Sequence, residues 1–351
     1  MAIFTTSNAQ IAGLSVCVPS QTKDNLDLDL IPAKDRETFV DTIGVRYRRV
    51  APQGVTAADL CFTAAQKLLD ELKWESSEVD ILIFISQTPD YLIPNSASIL
   101  QQRLGLSKNC IAFDINLGCS GYVYGLSVVA SLLQNMPAAK ALLLVGDCST
   151  SVISENDKST YPLFSDAGSA TAIIYNQGQQ WHFNLQTDGN GQEDIMIKAG
   201  GMRHPFSVES LTERQIEEGI SRSDLKMKLD GGRIFNFALR EVAANVQALI
   251  EQKQIETSTI SYYMFHQANK LMIESIARKL KLSMAQVPLS LYDFGNTSSA
   301  SIPMTISSQL RGMLTGSSKN LLLSGFGVGL SWGSAYIPFD KVVILPVIEL
   351  P

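Results

Sequence analysis

Apolar and polar positions along the chain alternate between two periods. Short aliphatic runs such as "VDILIF" (79–84) and "KALLLVG" (140–146), bounded by Gly, Asp or polar loops, read as buried strands. Between such runs, segments such as "AADLCFTAAQKLLDEL" (57–72) and "IFNFALREVAANVQALIEQ" (234–252) space apolar residues three and four apart, as an amphipathic helix does. Strand and helix signals in alternation predict an α/β protein.

The order of these elements repeats. Lys73–Phe84 and Gln254–Phe265 each follow an amphipathic segment with a polar loop and a strand, at an offset of 181. "QRLGLS" and "RKLKLS" close the next helices, with Leu106 against Leu282 at 176. "DINLGCS" and "LYDFGNT" then read as a strand with a corner, setting Cys119 against Asn296 at 177, and "KALLLVG" matches "KNLLLSG" at 179 (Gly146 against Gly325). Four elements in one order at nearly one offset predict a duplicated α/β unit. The halves divide as 1–178, carrying Cys119, and 179–351, carrying His266 and Asn296. Equivalent corners of a doubled fold can face one cleft.

Chemistry gathers at those corners. Cys119 follows the strand run 111–115 and precedes the apolar helix 122–133, so it lies near a helix N-terminus. There, unpaired N–H groups and the dipole favour an anion and lower a thiol's pKa. Gly118 and Gly121 let the backbone turn sharply and a substrate approach. A buried structural cysteine is the alternative, and Cys61 and Cys148 read that way. His266 ends the strand "SYYMF" and opens "HQAN", a strand end where α/β clefts form, whereas His182, between Trp181 and Phe183, reads as structural or exposed. Asn296 in "FGNTSSAS" is either a site residue or a helix cap. "SGFGVGLSWG" (324–333) lacks dinucleotide-loop spacing and is either a tight hairpin or a turn that aims N–H groups at an oxyanion.

Composition narrows the classes. With 351 residues and 45% hydrophobic content the chain can bury a large core, and its net charge of −6 argues against a nucleic-acid partner. No apolar run reaches the roughly 18 residues of a membrane span and the N-terminus has no secretory pattern, so the cytoplasm is the expected compartment. Five scattered cysteines without a CxxC pair argue against a disulfide framework and against a metal site. Lys270, Arg278, Lys279 and Lys281 cluster, with 270, 274, 278 and 281 on roughly one helix face; the stripe either binds an acidic partner or is a solvated face.

Taken together, "GCSG" at Cys119, "HQAN" at His266, "GNTSSAS" at Asn296 and "FGVGLSWG" near the C-terminus resemble the β-ketoacyl-acyl carrier protein synthase III family of thiolase-fold condensing enzymes, from about Ile11 to Pro338. The resemblance implies a thiolase-like duplicated fold in five layers, α-β-α-β-α, usually a homodimer. It gives Cys119 the role of acyl-accepting nucleophile. His266 and Asn296 hold the carbonyl oxygen of a malonyl thioester during decarboxylation, and the N–H groups of Cys119 and Val328 form the oxyanion hole. No cofactor is implied; acyl-CoA, acyl carrier protein and malonyl carrier protein are the substrates and partners.

Departures from the pattern matter too. Thr38 stands where fatty-acid-initiating members carry an adenine-stacking tryptophan, and Lys158 replaces an arginine on the other adenine face. After "HQAN", whose Asn269 belongs to the matched motif, Leu271 replaces an arginine that contacts the carrier protein, and Lys270 stands ready to compensate, with Arg278 further along. Ile93 falls where an aromatic residue often caps the partner subunit's acyl pocket. These changes point to a specialised condensation. Other readings are a non-decarboxylative acyltransferase, which Asn296 disfavours, a non-catalytic partner subunit, which Cys119 disfavours, and a Cys-His hydrolase, for which no group orienting His266 as a base is evident. The tail Asp340–Pro351 extends past the family's usual end as an edge strand or an interface arm.

Overall fold

The computed structural model describes residues 2–351. Eight main strands build one mixed sheet system: β1 (Ala2–Pro19), β2 (Val79–Ile85), β3 (Ile111–Ile115), β4 (Lys140–Asp147), β5 (Ala167–Thr187), β6 (Ile260–Phe265), β7 (Ser318–Gly327) and β8 (Ser331–Asp340). Six main helical segments accompany them: α1 (Ala57–Leu72), α2 (Ser96–Arg103), α3 (Gly121–Leu133), α4 (231–252, with a π-turn inside), α5 (Lys270–Lys279) and α6 (298–314, likewise interrupted).

The strand order is β6-β7-β8-β5-β4-β2-β3, with β1 alongside β5. β2 and β4 pair in parallel and β4 and β5 antiparallel; β6 and β7 pair in parallel and β7 and β8 antiparallel. The second half thus repeats the first. β1 and β5 run antiparallel through both halves, from Ala2↔Leu185 to Cys17↔Gly168, with a register break between Ser7 and Ala9.

Period-two alternation along the strands distributes the layers. On β2, Ile81, Ile83 and Ile85 face a central core with α3 and α6, while Leu82 and Phe84 face α1 and α2. On β7, Leu321 and Leu323 join the central core and Leu322 packs toward α4 and α5. The result is α-β-α-β-α. α3 is apolar on most sides because sheets cover it from both halves, and each fully buried Val or Leu there contributes roughly 1.5–3 kcal/mol of transfer free energy.

One expected element differs. "LYDFGNT" is no strand: Leu291–Phe294 forms a single helical turn, and β3 has no counterpart in the second half. Its backbone is satisfied elsewhere, the Ser290 N–H donating to Gln267 Oε1 at 3.0 Å and the Asn296 N–H to the Leu163 carbonyl at 2.9 Å. The tail adds edge strands: Val343–Ile344 and Ile348–Leu350 pair in parallel with β1, and Arg49 Nη1 meets Glu349 Oε1 at 2.7 Å.

Candidate active site

Three corners meet where the halves join. Cys119, 9% exposed, lies between β3 and α3, next to the Ser120 cap position. His266, 2% exposed, extends β6 by one residue, its N–H donating to the Ser324 carbonyl at 2.8 Å. Asn296, 5% exposed, precedes α6 and is held between Leu163 and Ser165 by main-chain hydrogen bonds. Segment 296–301 links all three: Ser298 Oγ stands 3.9 Å from Cys119 Sγ, and Ser301 Oγ lies 2.7 Å from His266 Nδ1.

The two readings of Asn296 turn out to be compatible. Its Oδ1 accepts from the Ser298 N–H at 2.9 Å, a capping bond at the start of α6, while its amide N–H groups donate to nothing among the described residues. A free donor is left beside the thiol. For His266, Ser301 Oγ accepts from the Gln267 N–H at 3.3 Å and stands 2.7 Å from Nδ1; in the tautomer with its hydrogen on Nε2, the Ser301 hydroxyl donates to Nδ1. Phe326 fixes the ring edge-on, with centroids 5.4 Å apart. Burial pushes the His266 pKa down to about 3, so the imidazole is a neutral donor at physiological pH.

The thiol departs from expectation. Although Cys119 sits at a helix start, burial dominates and pushes its pKa up to about 12, only partly opposed by Ser298 and by main-chain donors at Cys119 and Val328. It rests as a thiol and must lose its proton as it attacks. The glycine-rich turn is both things the sequence allowed: β7 and β8 form a hairpin closed at Gly327↔Ser331, and its tip aims Val328 at the sulfur. A Cβ on Gly327 would stand 2.8 Å from Cys119 Cβ and 3.0 Å from Sγ. Gly327→Ala should therefore displace the thiol and slow acylation by roughly 10²-fold while the purified protein keeps its circular dichroism spectrum. The backbone turns sharply here as expected, the Gly121 N–H donating to the Gly118 carbonyl at 2.7 Å, and it does so without either glycine entering the left-handed region. A Cβ on Gly118 would have to push aside Gln87 Oε1 and Val328 Cγ1.

Asp147 is a site residue the sequence reading missed. It ends β4, fully buried, and accepts from Ser86 Oγ (3.1 Å), the Gln87 N–H (2.7 Å), Ser299 Oγ (2.6 Å) and the Ser299 N–H (3.3 Å), joining the halves behind the cysteine. Burial raises its pKa. A charged residue closing the apolar run "KALLLVG" was the available signal.

Other candidates lie apart. Lys158 is exposed and packs over Gly219, and Ile93 is 86% exposed. Asn269 caps α5, its Oδ1 accepting from the Met272 N–H at 2.8 Å, and Lys270 reaches the Asp41 carbonyl at 3.3 Å. At the basic cluster, α5 ends at Lys279, Lys281 follows in the left-handed conformation with φ 57°, and Lys279 Nζ donates to the Leu239 carbonyl at 2.8 Å; Arg278, Lys279 and Lys281 are all exposed. His182 is structural, bonded to Thr5 and stacked on Tyr336. Among the described residues no cluster of three His, Cys, Asp or Glu could hold a metal ion, and no helix is long and apolar enough to cross a membrane.

Comparison with known proteins agrees with this geometry. Residues 113–189 match the family model for 3-oxoacyl-[acyl-carrier-protein] synthase III, and residues 250–339 match the model for its C-terminal part. The β-ketoacyl-[acyl-carrier-protein] synthase III of Streptococcus agalactiae is 33% identical over 334 residues, 94% of this chain and 98% of its own length. That of Streptococcus pneumoniae is 31% identical over 93% of this chain and 98% of its own. The crystal structure of a 3-oxoacyl-(acyl-carrier protein) synthase from Burkholderia xenovorans superposes with a TM-score of 0.93 at 37% identity, covering 99% of both chains.

A buried thiol facing a neutral imidazole across the seam of a duplicated five-layer sheet defines a thiolase-fold acyltransferase. Within that class, the chain belongs to the β-ketoacyl-[acyl-carrier-protein] synthase III family.

Proposed function

We propose that the chain joins an acyl thioester to malonyl carrier protein by decarboxylative Claisen condensation through an acyl-Cys119 intermediate. In the first half-reaction Cys119 Sγ attacks the acyl carbonyl, the N–H groups of Cys119 and Val328 hold the oxyanion, and the donor thiol leaves with the proton Cys119 gave up. In the second, His266 Nε2–H and the Asn296 amide donate to the malonyl thioester carbonyl, so that loss of carbon dioxide leaves a stabilised enolate. Its carbon attacks the acyl-Cys119 carbonyl; the C–S bond breaks, the sulfur leaves as the thiolate, and a proton taken up from water restores the Cys119 thiol.

The observation that carries this reading is the state of His266. Held neutral at about 3, with a hydroxyl and not a carboxylate on Nδ1, it is a donor to an enolate and a poor general base. That disfavours a Cys-His hydrolase. Asn296, in the amide form with its N–H groups free, disfavours non-decarboxylative transfer to a hydroxyl. The test is product analysis: acyl-CoA and malonyl carrier protein should yield one β-ketoacyl carrier protein and one carbon dioxide per turnover. Acyl transfer to a small alcohol without carbon dioxide would select the other reading.

The finer assignments are part of the proposal. Acyl-CoA and carrier-bound thioesters are the substrates, with no resident cofactor, and five unpaired cysteines fit the reducing cytoplasm. A homodimer is supported by the open edge of β3, where Ile111 is 40% exposed, and by the exposed apolar Tyr91, Leu92 and Ile93, with Ile93 lent to the partner's acyl chamber. Carrier protein docks beside α5, with Lys158, Asn269 and Lys270 as candidate contacts and Arg278 as one of the exposed cations. Arg278→Glu should raise the KM for malonyl carrier protein about three- to tenfold at low salt, an effect that shrinks as salt rises, with a smaller effect on acylation by CoA thioesters.

A further inference from the structure

A cavity of about 280 Å³ opens beside the thiol, bordered by Ser298 and Val328. It falls just under the roughly 300–1,000 Å³ common for drug-sized ligands, so it suits a short chain. One wall is apolar, formed by Val152, Ile195, Ile197 and Met227. The other is polar, formed by Gln87, Asn116 and Ser149.

The polar wall is unpaired. Ser149 is only 3% exposed, it lines the cavity, and its hydroxyl makes no hydrogen bond among the described residues. The side-chain amides of Gln87 and Asn116, exposed at the cavity's open side, also make none, and Gln87 Oε1 lies against Gly118, the residue before the nucleophile. A hydroxyl that faces the cavity without a protein partner opposes a plain alkyl chain, because closing hydrocarbon over it removes its water and returns nothing. The charge of the missing partner is constrained as well. Asp147 borders the cavity with both oxygens occupied by four donors, so it repels a carboxylate and has no free oxygen for an ammonium group.

We propose that Ser149, Gln87 and Asn116 select a short acyl group that carries an uncharged hydrogen-bonding substituent, a hydroxyl, on its chain. This rests on the acyl-Cys119 reading. The hydroxyacyl chain lies against Val152, Ile195 and Met227 while its hydroxyl meets Ser149 and the two amides. The chemistry of loading is unchanged: the acyl carbon exchanges the CoA sulfur for Cys119 Sγ, and CoA leaves as the free thiol. The reaction that supplies this substrate is one that forms hydroxyacyl thioesters, such as hydration of an enoyl or reduction of a ketoacyl thioester.

The experiment is a competition read by intact mass. Wild-type protein is mixed with equal butanoyl-CoA and one of 2-, 3- or 4-hydroxybutanoyl-CoA, and the ratio of the two Cys119 adducts is followed at early times. At least one hydroxyacyl isomer is expected to load about tenfold faster, equivalent to about 1.4 kcal/mol. Ser149→Ala and the double variant Gln87→Leu, Asn116→Leu should each cut that preference to about threefold or less. Because both thioesters compete for the same molecules, partial damage to the fold lowers both adducts and leaves the ratio intact. Equal or faster loading of butanoyl against every isomer overturns the inference, as does a preference untouched in both variants. If no thioester gives an adduct, the acyl-Cys119 reading falls with it; adducts without preference overturn the specificity alone.

Discussion

Cys119→Ser is expected to abolish the acyl-enzyme, slowing its formation by roughly 10⁴-fold or more, in line with loss of a catalytic nucleophile elsewhere. The substitution is nearly isosteric, so packing against Gly327 and the Ser298 contact survive. What changes is acidity and nucleophilicity. The thiol already pays for its burial, with a pKa pushed up to about 12, and is coaxed into attack only by the Ser298 hydroxyl and the Cys119 and Val328 N–H groups. A hydroxyl begins several units higher and gains no more from the same donors. Intact-mass detection after incubation with acyl-CoA checks this. An adduct of undiminished yield in the serine variant, mapped to another side chain, would remove Cys119 from the mechanism.

His266→Ala and Asn296→Ala should separate the half-reactions. Each is expected to acylate at near the wild-type rate but to lose about 10²–10³-fold in decarboxylation of malonyl carrier protein, the scale of one lost oxyanion donor, about 2.7–4 kcal/mol. Carbon dioxide release from pre-acylated enzyme gives the readout. The pH profile follows from the same burial. Because His266 is held near 3, its neutral form persists above that value, and its contribution to decarboxylation should stay flat between about pH 5 and 8. Protonation costs it only as pH falls toward 3. Stability carries the matching sign: a histidine buried neutral favours folding fully above its unfolded value of about 6.5, and the advantage is lost progressively as pH falls below that value toward 3. Acylation abolished by His266→Ala, with decarboxylation intact, would reverse the assignment.

What the chain revealed beforehand depended on how local each cause was. The repeat was legible because period-two runs such as Ile81–Ile85 and Leu321–Leu323 encode two-sided burial directly, and helix starts such as Ser120–Gly121 follow from local composition. "LYDFGNT" misled because Gln267 and Leu163, distant in sequence, take up the hydrogen bonds that a ladder would have made. The acidity of Cys119 misled for a related reason. A helix N-terminus can be read from neighbours, whereas the burial that outweighs it depends on segments that pack over the thiol from far along the chain, such as Gly327. The end of the basic segment was not legible either: α5 stops at Lys279, and Lys281 follows in the left-handed conformation, which helical spacing alone does not foretell. Asp147 and Ser149 were invisible as site residues because nothing beside them in sequence shows that segment 298–301 and residues 195–197 close over them.

The residues brought together by the duplication divide the work between the halves. In the proposed mechanism the first half supplies the nucleophile and its helix start; the second supplies the neutral imidazole, the free amide and the Val328 N–H. Asp147 ties β4 to Ser299, so the two sets of donors are fixed relative to each other through one buried carboxylate.

A single-turnover measurement tests the central claim most directly. Protein acylated once on Cys119 and freed of excess donor is mixed with malonyl carrier protein, and the Cys119 adduct, carbon dioxide and the carrier-bound product are quantified together over time. The account predicts that the adduct disappears with the release of one carbon dioxide and the appearance of one β-ketoacyl carrier protein, all three with the same rate constant. Loss of the adduct as free acid, or as acyl group on a hydroxyl or amine, without carbon dioxide, would contradict it.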